Sequence, residues 1–323
     1  MKVLITGGAG YIGSHLVDAL IKRGNEVLVI DNLSTGKIEN LRHLLGHPAF
    51  HFINDSLLNE PLLERFVPSM DLIFHLAAAV GVRNILQDPL AAINTNVRGT
   101  EVVLGLAFKY WKRVVLASSS EIYGKASHVP FREDDDRVLG STAVARWSYS
   151  MSKAIDEHFA FAYAAKGLPV SIVRYFNSYG PRLDERGYGS VVANFIRQAL
   201  RGEPITVHGD GKQTRCFTYI EDTVAGTLLA GEAKEALGEA FNIANTKESS
   251  ILDLAKAIKR LARSKSPIEF LAYEAYYGEG FEDTRRRVPS VEKAKRLLGF
   301  TPKVELETGL KKTIAWCREH FTH

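Results

Sequence analysis

The chain has 323 residues, 46% hydrophobic and 24% charged, with 41 Lys plus Arg against 37 Asp plus Glu. This is ordinary globular composition, enough for one large α/β unit or two packed domains, and a net charge of +4 is too small for a nucleic-acid partner. Two cysteines outside any paired-thiol motif, no secretory leader pattern and no apolar run of spanning length predict a cytoplasmic protein with reduced thiols and no membrane partner.

The first half alternates strand and helix. Short apolar runs predict strands at Lys2–Thr6, Glu26–Ile30, Phe50–Ile53, 71–75, 113–117 and 169–174, with helices over Tyr11–Lys22, 91–109 and 149–166. Strands separated by helices imply βαβ units, right-handed crossovers and a doubly wound parallel sheet of the Rossmann type. After Asn177 the pattern loosens. Gly180-Pro181 and 187–189 read as loop, followed by a helix at Val191–Arg201 and a strand at Ile205–His208. Further helices are expected at Ile251–Ala262, 291–298 and 310–319. The division expected is a cofactor-binding domain over 1–177 and a smaller substrate-binding α/β region over 178–323, some of whose elements return to the first. With no low-complexity linker, the boundary is a packed one.

Gly7-Gly8-Ala9-Gly10-Tyr11-Ile12-Gly13 follows the first strand and opens the first helix. Glycine there lets the backbone turn and approach a pyrophosphate seated on the helix N-terminus. Asp31 follows the second strand, about 20 residues on, where a carboxylate holds the adenosine ribose hydroxyls. Its charge would repel the extra phosphate of NADP, so NAD is the expected cofactor.

Tyr149 and Lys153 are four apart and share one helix face. A nearby ammonium is expected to lower the phenol toward neutrality, making it a general base. A hydroxyl partner is available in Ser118-Ser119-Ser120-Glu121-Ile122-Tyr123-Gly124, just past a predicted strand. Arg285, Arg286 and Arg287 read either as a solvated surface run or as a grip for phosphate or carboxylate. His43, His47 and His51 are interrupted by Gly46 and Pro48, and no metal site is expected. Asp134, Asp135 and Asp136 read as a solvated acidic loop.

Together these parts resemble the extended short-chain dehydrogenase/reductase family over nearly the whole chain. The blocks that carry the likeness include Asp31-Asn32-Leu33-Ser34-Thr35-Gly36, His75-Leu76-Ala77-Ala78, Asn96-Val97-Arg98-Gly99-Thr100 and Arg174-Tyr175-Phe176-Asn177. The resemblance implies an NAD-dependent enzyme that remodels a nucleotide-linked sugar, most naturally UDP-linked, through transient oxidation at C4. It implies a catalytic set of Tyr149, Lys153, Ser119, Ser120, Glu121 and Arg287. The implied cofactor contacts are Gly7, Gly10, Tyr11, Ile12, Gly13, Asp31, Asn32, Ser34, Thr35, Gly36, Asp55, Ser56, Leu76, Ala77, Ala78 and Asn96, besides Tyr149 and Lys153. Those to substrate are Val80, Glu121, Arg146, Asn177, Val191, Arg215 and Arg287. It also implies a homodimer formed through the Tyr–Lys helix.

The fate of the 4-keto sugar separates the members. Glu121 after the serines resembles UDP-glucuronate decarboxylases, and Arg146-Trp147-Ser148-Tyr149 resembles UDP-apiose/UDP-xylose synthases. Tyr276-Tyr277-Gly278-Glu279-Gly280-Phe281 running into Arg287-Val288-Pro289-Ser290 resembles the tails of both groups. The loop 77–84 instead resembles UDP-glucose 4-epimerases. Decarboxylation of UDP-glucuronate is the expectation. Epimerisation at C4 is the alternative, then dehydration, then a non-catalytic NAD sensor.

Overall fold

A computed structural model of the chain describes residues 1–81, 85, 87–185, 190–273 and 284–321. Fourteen strands occur among these: β1 Lys2–Thr6, β2 Glu26–Ile30, β3 Phe50–Ile53, β4 Leu72–His75, β5 Arg113–Ser119, β6 Val170–Tyr175, β7 Ser178–Tyr179, β8 Ile205–His208, β9 Thr214–Cys216, β10 Thr218–Tyr219, β11 Ala240–Ile243, β12 Glu248–Ser250, β13 Ile268–Leu271 and β14 Arg286–Arg287. Seven form one parallel sheet in the order β11-β6-β5-β4-β1-β2-β3. The chain starts at β1, winds out to β3, then crosses to β4 and winds the other way. The switch point therefore lies between β1 and β4, where a crevice opens beyond the strand ends.

The sheet is apolar on both faces because helices cover both. Side chains alternate across a strand. Val3 and Ile5 face one core with Val27 and Val29, whereas Leu4 faces the other with Leu28 and Ile30. The first core holds Leu16, Val17 and Leu20 of the Tyr11–Lys22 helix, and the second holds Val103, Leu104 and Ala107 of the Gly99–Lys109 helix.

The predicted strands at β1, β2, β3 and β8 and the predicted helices Tyr11–Lys22, Val191–Arg201 and Ile251–Ala262 have the expected bounds. The helix expected over 91–109 is three consecutive pieces, Pro89–Ile93, a π-helical turn at Asn94–Arg98 and Gly99–Lys109. The helix Ile220–Glu232 and β11 have no counterpart in the sequence reading. Both belong to the second half of the chain, yet β11 pairs with β6 as the seventh strand of the main sheet, and the helix packs against it. The expected loop at 187–189 lies outside the described residues. No helix among the described residues is long and apolar enough to cross a membrane.

Candidate active site

A cleft of about 360 Å³ runs along the carboxyl ends of the parallel strands. Its floor is the glycine turn. Gly7 has φ of +74°, in the left-handed region, and a Cβ there would stand 2.7 Å from the Ala77 backbone. A Cβ on Gly13 would stand 2.2 Å from the Gly7 carbonyl oxygen. Only glycine permits this approach of helix to strand. Gly10 caps the Tyr11–Lys22 helix without a side-chain hydrogen bond, so the first amides of the helix keep no side-chain acceptor. This is the arrangement that accepts a phosphate.

Asp31 stands just beyond β2. Its carboxylate accepts the Ala9 amide at 2.9 Å and the Leu33 amide at 2.8 Å. Burial raises its pKa, against the pull of those two amides. Asn32, Ser34, Thr35, Asp55, Ser56, Leu76, Ala77, Ala78 and Val80 line the same cleft with Gly7, Gly10, Tyr11, Ile12 and Gly13. The buried Oδ1 of Asn177, also in the lining, has no protein partner. An uncapped helix start, a glycine floor and a buried carboxylate just beyond β2 together fit a dinucleotide.

Gly36 lies behind this surface, where a Cβ would meet the Asp31 carboxylate at 2.9 Å. Asn96 is buried in the π-helical turn and clamps backbone: it accepts the Ala79 amide at 2.7 Å and donates to Ser152 Oγ at 3.1 Å. It thereby fastens the helix that carries the Tyr–Lys pair to the loop beside the cleft.

That helix is Trp147–Ala165. Lys153 is 3% exposed, and its Nζ donates to the Ala117 carbonyl at 3.1 Å and to Asp156 Oδ2 at 3.0 Å. Tyr149 and Ser119 face the cleft beside it. Burial pushes the phenol above its ordinary value, the Lys153 ammonium and the Ser119 hydroxyl pull it back, and Glu121 and Asp156 oppose them. The net direction in the protein alone is upward. This corrects the expectation drawn from spacing, which counted the ammonium but neither the burial nor the two carboxylates.

Glu121 is held in a cradle of arginines. Arg287 Nη1 donates to its Oε1 at 2.8 Å, and Arg146 Nη2 lies 3.4 Å from its Oε2. Arg215 pairs with Arg287 in register across β9 and β14 and adds a third positive charge. Burial alone would raise the Glu121 carboxyl, yet Arg287, Arg146 and Arg215 hold it down to about 2. All three guanidinium side chains are buried. The arginine cluster, which read either as a surface run or as a grip for phosphate or carboxylate, splits: Arg285 grips Asp210 and Arg286 grips Glu248 at the surface, whereas Arg287 turns inward to Glu121. Ser120 is buried and Val191 is half-buried at the start of its helix, and neither lines the cleft, nor do Glu121, Arg146, Arg215 and Arg287.

Residues 4–313 match the family described as GDP-mannose 4,6-dehydratase. The chain belongs to this family. It is an enzyme of the extended short-chain dehydrogenase/reductase type. A UDP-N-acetyl-α-D-glucosaminuronate decarboxylase of Bacillus cytotoxicus is 45% identical over 318 residues, 98% of each chain. UDP-glucuronic acid decarboxylase 1 of Xenopus tropicalis is 39% identical over 323 residues, all of this chain and 73% of the relative. The UDP-glucose 4-epimerase of Thermotoga maritima with UDP-glucose matches with a TM-score of 0.90 at 34% identity, over the whole of both chains. The UDP-glucuronic acid 4-epimerase of Bacillus cereus, in complex with UDP-glucuronic acid and NAD, matches with a TM-score of 0.87 at 31% identity, over 99% of this chain and 100% of that one.

Several members of the site went unseen in the sequence. Asp156 and Glu157 follow Lys153 by one turn. Glu157 accepts Ser118 Oγ at 2.5 Å and both Arg174 Nε at 2.9 Å and Nη2 at 2.7 Å. Arg174 Nη1 reaches Tyr123 Oη at 2.9 Å, and that hydroxyl donates to Asn242 of β11 at 2.7 Å. Asn242 Nδ2 donates to the Phe131 and Ser290 carbonyls at 3.0 and 3.1 Å, beside the strand carrying Arg287. The spacing of these residues carries no signal, because the network joins five distant segments. The loop 77–84 is described only to residue 81, and the motif 276–281 lies wholly outside the described residues. His43 and His51 pair with Asp18 and Glu26, at 2.7 and 3.8 Å. Among the described residues no group of three or more His, Cys, Asp or Glu side chains could hold a metal ion.

Proposed function

We propose that the protein decarboxylates a UDP-linked hexuronate, UDP-glucuronate first, using NAD. The observation that carries the reading is the cradle around Glu121. Three buried guanidiniums gather around one glutamate, and a planar guanidinium fork suits a carboxylate. The curated relatives of Bacillus cytotoxicus and Xenopus tropicalis support decarboxylation.

The cleft residues from Gly7 to Ser56 hold NAD, which supplies the hydride acceptor for C4. Asn177 and Arg215 hold the diphosphate, Val191 lies beside the nucleotide, and Val80 borders the sugar. Tyr149 Oη takes the proton of the C4 hydroxyl, the Lys153 ammonium stabilises the phenolate, and the Ser119 hydroxyl steadies the oxygen that becomes carbonyl. A ketone at C4 makes the C6 carboxylate part of a β-keto acid. The C5–C6 bond then breaks, carbon dioxide leaves, and the electron pair is held as an enolate by the C4 oxygen. C5 takes a proton in the region of Glu121 and Arg287, with Ser120 behind them, and C4 regains its hydrogen as Tyr149 returns its proton. The net change consumes one proton and releases carbon dioxide, leaving a UDP-pentose.

The chain divides in work at residue 177: 1–177 holds the dinucleotide, and 178–323 contributes Arg215 to the diphosphate and Arg287 to the sugar. Met151, Ile155 and Phe161 are 38 to 39% exposed on the Trp147–Ala165 helix, which supports a homodimer through that helix. Two buried free cysteines support a cytoplasmic location.

The second reading is C4 epimerisation of a UDP-hexuronate, favoured by the Bacillus cereus epimerase bound to UDP-glucuronic acid. Incubation with NAD and, separately, UDP-glucuronate, UDP-N-acetylglucosaminuronate and UDP-glucose, with products identified by mass and NMR, decides. Loss of carbon dioxide from a hexuronate supports the first reading. A product of unchanged mass and inverted C4 replaces it with the second.

A further inference from the structure

The ammonium of Lys153 has three protons to place. One goes to the Ala117 carbonyl of β5 at 3.1 Å and one to Asp156 Oδ2 at 3.0 Å, which leaves one for the cleft. Asp156 is fully buried, as is its lysine. A buried carboxylate is retained only with a counter-charge or donors, and each charged or titratable group around it has a defined state.

Glu157, next on the helix, is answered by two bonds from Arg174 of β6 and one from Ser118 of β5. Glu121, beyond Ser119, is answered by Arg287 and Arg146. His75 of β4 is buried between two threonines, with Nδ1 2.7 Å from Thr6 Oγ1 and Nε2 3.0 Å from Thr100 Oγ1. Burial, and then the Lys153 charge, drop it to about 3, so it is neutral at working pH. The Thr100 hydroxyl stands near enough to Asp156 to lower its carboxyl, while the buried Oδ1 of Asp156 has no hydrogen-bond partner. A hydroxyl has one proton, so with that proton turned toward the carboxylate Thr100 accepts from His75 Nε2–H, while Thr6 donates to Nδ1. Each neighbouring charge is thus matched elsewhere, and Asp156 is the carboxylate that answers Lys153.

We propose that Asp156 is a positioning residue that aims the Lys153 ammonium and sets how much of its charge Tyr149 feels. It holds the ammonium from the helix while the Ala117 carbonyl of β5 holds it from the sheet, so the third proton points into the cleft. Its negative charge also cancels part of the field that the ammonium exerts on the phenol one turn away. Lys153 alone would make a stronger phenolate stabiliser and a poorer returner of the proton; the paired lysine moderates both. This rests on the proposal that Tyr149 moves the proton.

The test reads the Tyr149 ionisation directly. Tyrosinate absorption is followed against pH in the full-length protein, with Tyr149→Phe subtracted to isolate that residue. Asp156→Asn removes the charge, Asp156→Ser leaves room for a water, and Asp156→Glu keeps the charge. The Asn and Ser variants are expected to lower the midpoint by about one unit, a roughly tenfold change in ionisation, with Asp156→Glu staying near the parent. The acid limb of kcat on UDP-glucuronate should move with it, while KM holds. An unmoved midpoint in folded Asp156→Asn and Asp156→Ser overturns the proposal. So does Asp156→Glu shifting as far as Asp156→Asn, or both neutral variants failing to fold while Asp156→Glu folds. If the parent turns over no hexuronate, the titration still decides, and the reaction assignment alone fails.

Discussion

Arg287 Nη1 donates to Glu121 Oε1 across 2.8 Å, joining residues 166 positions apart. Glu121 is carried past the end of β5, and its carbonyl accepts Ser150 Oγ of the Tyr–Lys helix at 2.7 Å. Arg287 is carried by a two-residue strand on the separate β12-β9-β14 sheet. The contact therefore ties the β12-β9-β14 sheet to the end of β5, beside the Tyr–Lys helix.

Replacing Arg287 by Lys keeps the charge and loses the fork. The ammonium can satisfy Glu121 but not Glu121 and a substrate carboxylate in one plane. A drop of about 10² to 10³ in kcat/KM on the hexuronate is expected, of the size seen when one oriented donor is removed. The NAD content of the purified protein should not change. Steady-state kinetics and absorbance of the released dinucleotide measure the two effects. An Arg287→Lys enzyme of parental kcat/KM would remove Arg287 from the sugar site.

Tyr149→Phe deletes the hydroxyl and keeps the ring. A loss of about 10² to 10⁴ in kcat is expected, with the fold and dinucleotide retained. Single-turnover reduction of bound NAD, followed at the absorbance of the reduced form, separates chemistry from binding. Reduction at the parental rate would assign proton removal to another group.

The strands β1 and β2 are readable to the residue because each is a run of β-branched and aliphatic side chains closed by Gly, Asp or Asn. The helix Ile220–Glu232 is not, because Gly226 and Gly231 dilute its propensity. Those glycines are dictated by packing: a Cβ on Gly226 would meet Ile243 Cγ2 at 2.5 Å, and one on Gly231 would meet Phe74 Cζ at 2.9 Å. The cause lies on strands far away in sequence. The same division holds at the site. The glycine turn and the Tyr149–Lys153 pair are local spacings with a mechanism attached, and they are legible. Glu157, Arg174 and Asn242 act through partners on other elements, and Asp156, an acid one turn from a lysine, looks like any helix surface pair. Glu121 and Arg287 were visible by resemblance, whereas their direct contact required the fold.

Gly13→Ala tests the glycine floor. The added Cβ would stand 2.2 Å from the Gly7 carbonyl oxygen and 2.8 Å from Gly8 Cα, both backbone atoms rather than a side chain that could turn aside. The helix must then move away from β1 and the phosphate-accepting amides with it. The expected outcome is protein purified with little or no dinucleotide and a fall of at least about tenfold in NAD affinity by isothermal titration. Retention of parental affinity would show that the phosphate sits elsewhere.

His75 should make the fold acid-sensitive well above the carboxylate range. Its pKa is lowered from 6.5 unfolded to about 3 folded, so the unfolded state binds the proton first. For a folded value lowered in this way, the contribution to stability is complete above pH 6.5 and declines as pH falls toward 3. His15, lowered to about 4 by burial, acts in the same direction. Each histidine adds up to about 1.4 kcal/mol of lost stability per pH unit within its window. Urea midpoints measured at pH 7, 6 and 5 should fall progressively for the parent and less steeply for His75→Gln, whose amide can still bond Thr6 and Thr100 but takes no proton. The substitution is expected to cost stability at pH 7, where the imidazole fits its pocket, and to recover part of that deficit at pH 5. Parallel pH dependences for the two proteins would mean that His75 is protonated in the folded state, and the Thr100 hydroxyl could not then be shared between the imidazole and Asp156 as assigned.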